Sequence, residues 1–163
     1  MSKEVTGNAM QSEFSEYFFS STMKEIIHTM TGLELSEEWP SIEDLKDFVA
    51  QFTGVVILTG EKNIMISISM STITISTLTA FMVGIQREQL SDEDLNDGIS
   101  EIANVIGGKV KAKLAMSGSR YTILTPFTIK GQGHYITQRK NVLLFVKKFK
   151  ASDIEIVAKA FLL

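Results

Sequence analysis

Asp97, Glu101 and Asn104 are spaced four and three residues apart, and the pair Gly107-Gly108 follows closely. At 3.6 residues per helical turn, Asp97, Glu101, Asn104 and Gly108 share one stripe, while Leu95, Ile99, Ile102, Ile106 and Val110 share the opposite one. The apolar stripe answers to a core; the polar stripe does not. Asn104 carries one acceptor and two donors on a single carboxamide, which suits it to holding a water in a fixed orientation. Two carboxylates, Glu101 and Asp97, lie one and two turns earlier on the same face. Each glycine inside a helix costs about 1 kcal/mol relative to alanine, so Gly107-Gly108 points to something approaching that backbone closely. Taken alone, Asp, Glu and Asn on a helix face also describe an ordinary solvated surface. Other chemistries find less support. The chain has no cysteine, hence no thiol nucleophile or thiolate metal site. His28 and His134 are far apart without metal-ligand spacing and read as structural, one on a helix and one on a strand or turn. Gly131-Gln132-Gly133 lacks the strand-loop-helix context of a phosphate cradle and reads as a turn.

The element that must carry these residues is well marked. Ser91-Asp92-Glu93-Asp94 supplies an N-cap serine, an acid three residues on and negative charge in the first turn, so a helix runs from about 92 to 115. An earlier helix runs from Ser12 to about Met30 and stops at Gly32. Its apolar residues Phe14, Phe18, Met23, Ile26, Ile27 and Met30 wander around its surface, as in a helix covered on more than one side. Trp39-Pro40 reads as a loop and residues 41–46 as one helical turn. Phe48 to Leu58 and Ile64 to Met70 form a strand hairpin around residues 60–63. Further on, residues 121–124, 127–129, 135–137 and 142–149 read as strands separated by Pro126, by the Gly131-Gly133 turn and by residues 139–141. The alternation of Ile154, Ile156, Ala158, Ala160 and Leu162 predicts a last strand, with a helix over 153–162 as the other possibility. The sum is an α+β fold, an antiparallel β-sheet covered by two long α-helices. Residues 1–10 read as a disordered tail and 11–163 as a single domain.

Composition narrows the function classes. A net charge of -3 and a pI near 5.4 give no basic face for nucleic acid. Lys147, Lys148 and Lys150 read as solvated lysines that discourage edge pairing. Residues 63–86 carry no charge, yet eight Ser and Thr fall between Ser67 and Thr79 and Ile64 to Met70 alternates with polar residues, so membrane insertion is not expected. No signal peptide is visible, and the absence of cysteine fits a reducing cytoplasm.

The spacing Asp97-x-x-x-Glu101-x-x-Asn104, followed by apolar residues and Gly107-Gly108, resembles the signature of the CheC/CheX family of bacterial chemotaxis phosphatases, which dephosphorylate the response regulator CheY. Pro126 stands within a residue of where that family's downstream proline is expected. Met30-Thr-Gly-Leu-Glu34, Phe52 to Gly60 and Ile64-Met-Ile-Ser-Ile-Ser69 extend the similarity over roughly residues 14–162. One copy of the motif, with no room for a second domain, resembles the CheX-like branch. The resemblance implies a short helix over 72–83 closing at Gly84, a cytoplasmic homodimer, and a phosphorylated CheY-like partner. It implies no cofactor bound by this chain alone, with Mg²⁺ held in the partner regulator's site. Asn104 would place a water in line with the phosphorus of an aspartyl phosphate, and Glu101 would pair with a lysine of the regulator and anchor it. Asp97 would support them, while Gly108 and Gly107 would permit close approach.

Two other readings use the same residues. One is a non-catalytic docking domain that binds a response regulator or a flagellar-switch component; the other is a structural or sensory module in which the polar face has no role. A carboxamide at this spacing favours catalysis, because a pure binder does not need it.

Overall fold

The computed structural model describes residues 14–38, 40, 45, 48–137 and 141–163. The tail over 1–10, the helix start at Ser12, the Trp39 loop, the helical turn from Ser41 and the break at 139–140 concern residues outside that set. In chain order the elements are α1 (Glu16–Thr31), β1 (Ser36–Glu38), β2 (Ala50–Thr59), β3 (Ile64–Met70), α2 (Thr72–Val83), a 3₁₀ turn (Arg87–Gln89), α3 (Asp92–Met116), β4 (Thr122–Ile123), β5 (Phe127–His134), β6 (Leu143–Ala151) and β7 (Ile154–Leu162). The fold is α+β, as the residue patterns predict, and the last segment is a strand. Ser15, Ser71 and Ser91 cap the three helices through their hydroxyls, each accepting a backbone N–H three residues on. Gly32 and Gly84 close α1 and α2 in the left-handed conformation.

All seven strands join one antiparallel sheet in the order β1-β6-β7-β3-β2, and β4 and β5 share the far side of β2. The registers Phe52↔Met70, Gly54↔Ile68 and Ile68↔Ala158 put the even-numbered residues of β2, β3 and β7 on one face. On that face Phe52, Val56, Leu58, Ile66, Ile68 and Ile156 are buried against Ile99, Ile102, Ile106 and Val110 of α3 and the apolar residues of α1 and α2, all in one core cluster. Each fully buried side chain of this kind stabilises by about 1.5–3 kcal/mol. The wandering pattern of α1 is a broad single stripe, because Phe19, Met23, Ile26 and Ile27 face the core while Tyr17 stays exposed. Phe14 and Phe19 pack edge-on or tilted against Phe145 of β6 at centroid distances of 5.1 and 5.0 Å.

Three sequence expectations are corrected. Gly131-Gln132-Gly133 is not a turn: β5 runs through it, and a register shift between Ala50 and Phe52 accommodates extra residues as a bulge. Residues 135–137 are consequently not a strand. The β6 lysines are not an edge device either, since β6 lies between β1 and β7. Lys148 pairs with Glu155 and Lys150 with Glu38, while Lys147 is only 1% exposed. Its ammonium sits 3.0 Å from Glu16 and 2.7 Å from Glu37, and Glu37 also accepts from Ser20 and pairs with Lys24 at 3.2 Å. This cluster fastens α1 to β1 and β6. Alternation along a strand names a face but does not say which helix will cover it.

Burial alone would raise the Glu37 carboxyl, but hydrogen bonds from Lys147, Ser20 and Lys24, with the charge of Lys147, outweigh it and hold the group at about 2 against an ordinary 4.5. A carboxylate lowered on folding stabilises fully above its unfolded value and loses that contribution as pH falls through its folded value. Urea denaturation should therefore show stability falling as pH drops from about 4.5 towards about 2. Glu37→Gln should flatten that limb and cost about 3 kcal/mol at neutral pH by leaving Lys147 underpaired. An unaltered acid limb in the variant would contradict the assignment.

Candidate functional site

The site is built on α3 and on the strand segment beside it. Ser91 and Asp94 cap the helix reciprocally: the serine hydroxyl accepts from Asp94 N–H at 3.2 Å, and the Asp94 carboxylate accepts from Ser91 N–H at 2.7 Å. The hydrogen bonds that the Asp94 carboxylate accepts from the Ser91 N–H and from the Ser91 hydroxyl hold it below its usual range. Along its length α3 lies against β2 so closely that the contact requires missing side chains. A Cβ on Gly54 would stand 2.9 Å from the Ile99 carbonyl, and one on Gly107 would stand 2.8 Å from Val56 Cγ2. Gly98 meets Thr79 of α2 in the same manner.

This geometry corrects the role expected for Gly107. It is buried and faces the sheet, so its missing side chain serves helix-to-strand packing and offers nothing to a partner. Gly108 faces outward with nothing within 4 Å of where a Cβ would be. Asp97, Glu101 and Asn104 are likewise outward and exposed. Among the described residues none of the three side chains makes a hydrogen bond or ion pair.

Beside this stripe runs a wall that local sequence does not reveal. Leu58 pairs with Ile123 and Val55 with Phe127, so three steps along β2 face four along the opposite strand. The extra residue lifts Leu124-Thr125-Pro126 out of the ladder, although Leu124 N–H still donates to Ile57 O at 2.9 Å. Proline, with no N–H to pair, suits the break. An open groove of about 650 Å³ results, with Asp97, Ser100, Glu101 and Asn104 on one side and residues 123–126 on the other. Ser100 Oγ lies 3.1 Å from Thr128 Oγ1, and Lys130 pairs with Asp92 while lying over the Phe52 ring, so β5 is braced against the first half of α3. Ser100 sits at the margin of the polar stripe and was open to a helical-wheel argument. Its partner Thr128 and the wall come from a distant segment and carried no such signal.

Chemically the groove offers hydrogen-bonding and anionic groups, and its Ser100 hydroxyl is partnered by Thr128 and not by a base. Among the described residues there is no group of three or more His, Cys, Asp or Glu placed to hold a metal. Both histidines are structural. His28 pairs with Glu34 at 3.0 Å, and His134 Nε2 lies 2.7 Å from Thr53 Oγ1 on the far side of the sheet, where burial pushes its imidazole below the usual value. No helix of the described residues is long and apolar enough to cross a membrane.

Comparison with known proteins adds an independent line. The family model described as chemotaxis phosphatase CheX matches residues 52–150, a span that holds α3, the groove and its wall. Among solved structures, a CheC-like superfamily protein from Shewanella sp. PV-4 superposes with a TM-score of 0.79 at 19% identity, covering 92% of this chain and 99% of that one. Chemotaxis protein CheX from Vibrio vulnificus gives 0.77 at 21% identity, covering 91% and 95%. A chain of the CheX-CheY-BeF₃-Mg²⁺ complex from Borrelia burgdorferi gives 0.69 at 18% identity, covering 90% and 95%. At these identities the structural likeness establishes the fold. No match was found among curated proteins.

The opposite surroundings of the paired glycines lead to opposite outcomes. Gly107→Ala should destabilise by about 1–3 kcal/mol, because Val56 has no room to yield in a packed core. Gly108→Ala should leave stability unchanged or raise it by up to about 1 kcal/mol through helix propensity. Thermal melts of the two variants test this, and equal effects would show that α3 does not lie on β2 as described.

Proposed function

Because the chain belongs to the CheX family of chemotaxis phosphatases, we propose that it removes the phosphoryl group from an aspartyl phosphate on a CheY-like response regulator. One observation carries the reading. Inside the span matched by the family model, a polar stripe of Asp97, Glu101 and Asn104, unpartnered among the described residues, stands beside an open groove on a helix whose other side is committed to the core.

Phosphoryl transfer demands positioning and charge stabilisation more than covalent help. The Asn104 carboxamide accepts from and donates to a water, holding it in line with the phosphorus, as a glutamine does in small GTPases. Glu101 pairs with a cation of the regulator beside its phosphoaspartate, and this pair seats the helix in one register. Asp97, one turn further out, adds negative charge on the same flank, and Gly108 leaves the helix surface low where the partner's backbone comes closest. No residue here acts as a general base, because the acyl phosphate has a good leaving group.

The Mg²⁺ that this chemistry uses neutralises charge on the phosphoryl oxygens and is held by the regulator. Magnesium needs several hard oxygens converging on one point. Asp97 and Glu101 are a turn apart along one helix and do not converge, so the complete site is assembled between two proteins. The chain also forms a homodimer, for which β1 and β5, each with one side unpaired among the described residues, offer edges.

Phosphate release from a phosphorylated CheY-like regulator is the deciding measurement. Asn104→Ala should lower turnover about 100-fold with binding nearly intact, the scale for losing one positioned transition-state group. Glu101→Ala should weaken binding and turnover together. Chelation of Mg²⁺ should abolish release, although calorimetric titration of the isolated chain with Mg²⁺ gives no heat. A wild-type chain that leaves the regulator's own dephosphorylation rate unchanged would refute the proposal. Light scattering at micromolar concentration should give twice the 18.1 kDa chain mass, and a monomer mass would remove the dimer.

A further inference from the structure

The outward stripe of α3 does not end at Gly108. The same periodicity places Lys111 on it, two turns beyond Asn104 and about 10 Å further along the axis. Lys109, Lys111 and Lys113 alternate through this part of the helix, and the first and third are committed sideways to α1. Lys109 Nζ lies 3.0 Å from Glu25 Oε1, and Lys113 Nζ lies 5.5 Å from the centroid of the Phe18 ring. Lys111 is exposed and, among the described residues, its ammonium makes no hydrogen bond, ion pair or ring contact. Between it and Asn104 the surface is low, because nothing stands within 4 Å of a Cβ at Gly108. The stripe is therefore bipolar: Asp97 and Glu101 at one end, the carboxamide in the middle, an uncommitted cation at the other.

We propose that Lys111 is a docking residue for the phosphorylated response regulator, pairing with a carboxylate on the regulator's surface outside its phosphorylation pocket. The inference rests on the phosphatase reading above and adds to it the direction of docking. The Glu101 ion pair fixes the register, but with Asn104 only one turn away it leaves the helix axis freedom to swing along the partner. Opposite charges about 15 Å apart on one stripe remove that freedom, because a reversed helix would set like charges against each other. Two turns of separation keep the ammonium away from the reacting phosphorus, so Lys111 contributes to association and not to the chemical step. A rim charge of this kind acts on encounter rate and salt dependence.

The test compares the full chain and its Lys111 variants for affinity towards a CheY-like regulator loaded with beryllofluoride and Mg²⁺, at about 50 and 300 mM KCl, and measures phosphate release in parallel. Lys111→Gln should raise Kd and KM about threefold at low salt and reduce their salt dependence, and Lys111→Glu should raise them about tenfold. In both, kcat should stay within about twofold of wild type, and Lys111→Arg should restore binding. If Lys111→Glu melts early, the Gln and Arg variants decide. Equal affinity of all variants, with turnover still dependent on Asn104, overturns the role of Lys111 alone. A fall in kcat at constant KM overturns it in favour of direct contact with the phosphoryl group. A wild-type chain that binds the loaded regulator without releasing phosphate overturns the phosphatase reading, while the affinities still decide Lys111. No binding by the wild-type chain overturns both.

Discussion

The closeness of α3 to β2 governs the rest of this structure. Gly54 on the strand and Gly107 on the helix remove the two side chains that would hold the backbones apart, and the apolar stripe from Leu95 to Val110 then seats directly on the sheet. Interiors packed to crystalline density leave such a helix no rotational freedom. With its inner side fixed, its outer side is fixed too, and Asp97, Glu101 and Asn104 project at set angles from a rigid platform. The cost of glycine in a helix interior, about 1 kcal/mol, is small beside the several buried side chains whose contacts depend on that closeness.

The polar part of the molecule is organised by the same contact. Ser100 meets Thr128 and Asp92 meets Lys130 only because α3 lies low enough for β5 to reach it. On the other flank, Lys109 and Lys113 reach α1 and engage Glu25 and Phe18. The helix is thus braced from both sides by groups at the margins of its exposed stripe, and the stripe itself is left without internal partners among the described residues. Exposed polar groups without an internal partner, on a braced surface, suit a task done against another molecule, since no rearrangement is needed when that molecule arrives.

Much of this was legible in the chain because it is periodic and local. The capping box at Ser91, the two stripes of α3 and the β2–β3 hairpin depend on residues within a few positions of one another. What escaped was set by distant partners. Lys147 reads as a solvated strand lysine until α1 and β1 bring Glu16 and Glu37 over it. The helical period sets Gly108 on the polar stripe and Gly107 beside it, but only Val56, some fifty residues earlier, makes Gly107 structural. Gly131 and Gly133 suggest a turn by composition, whereas pairing with β2 draws them into a bulged strand. Of the groove, the helix side was read from spacing; the opposite wall needed the register of β4 and β5.

That wall has a consequence for how the family can diversify. The groove's two sides come from separate stretches of chain, and residues 124–125 lie in a bulge whose side chains are not required by the ladder. Substitutions there can reshape the rim while the helix, its caps and its glycine seat stay as they are. Under the proposed function, selectivity for one regulator over another would then drift independently of the residues proposed for hydrolysis, and paralogues in one cell would share their chemistry and still avoid cross-talk.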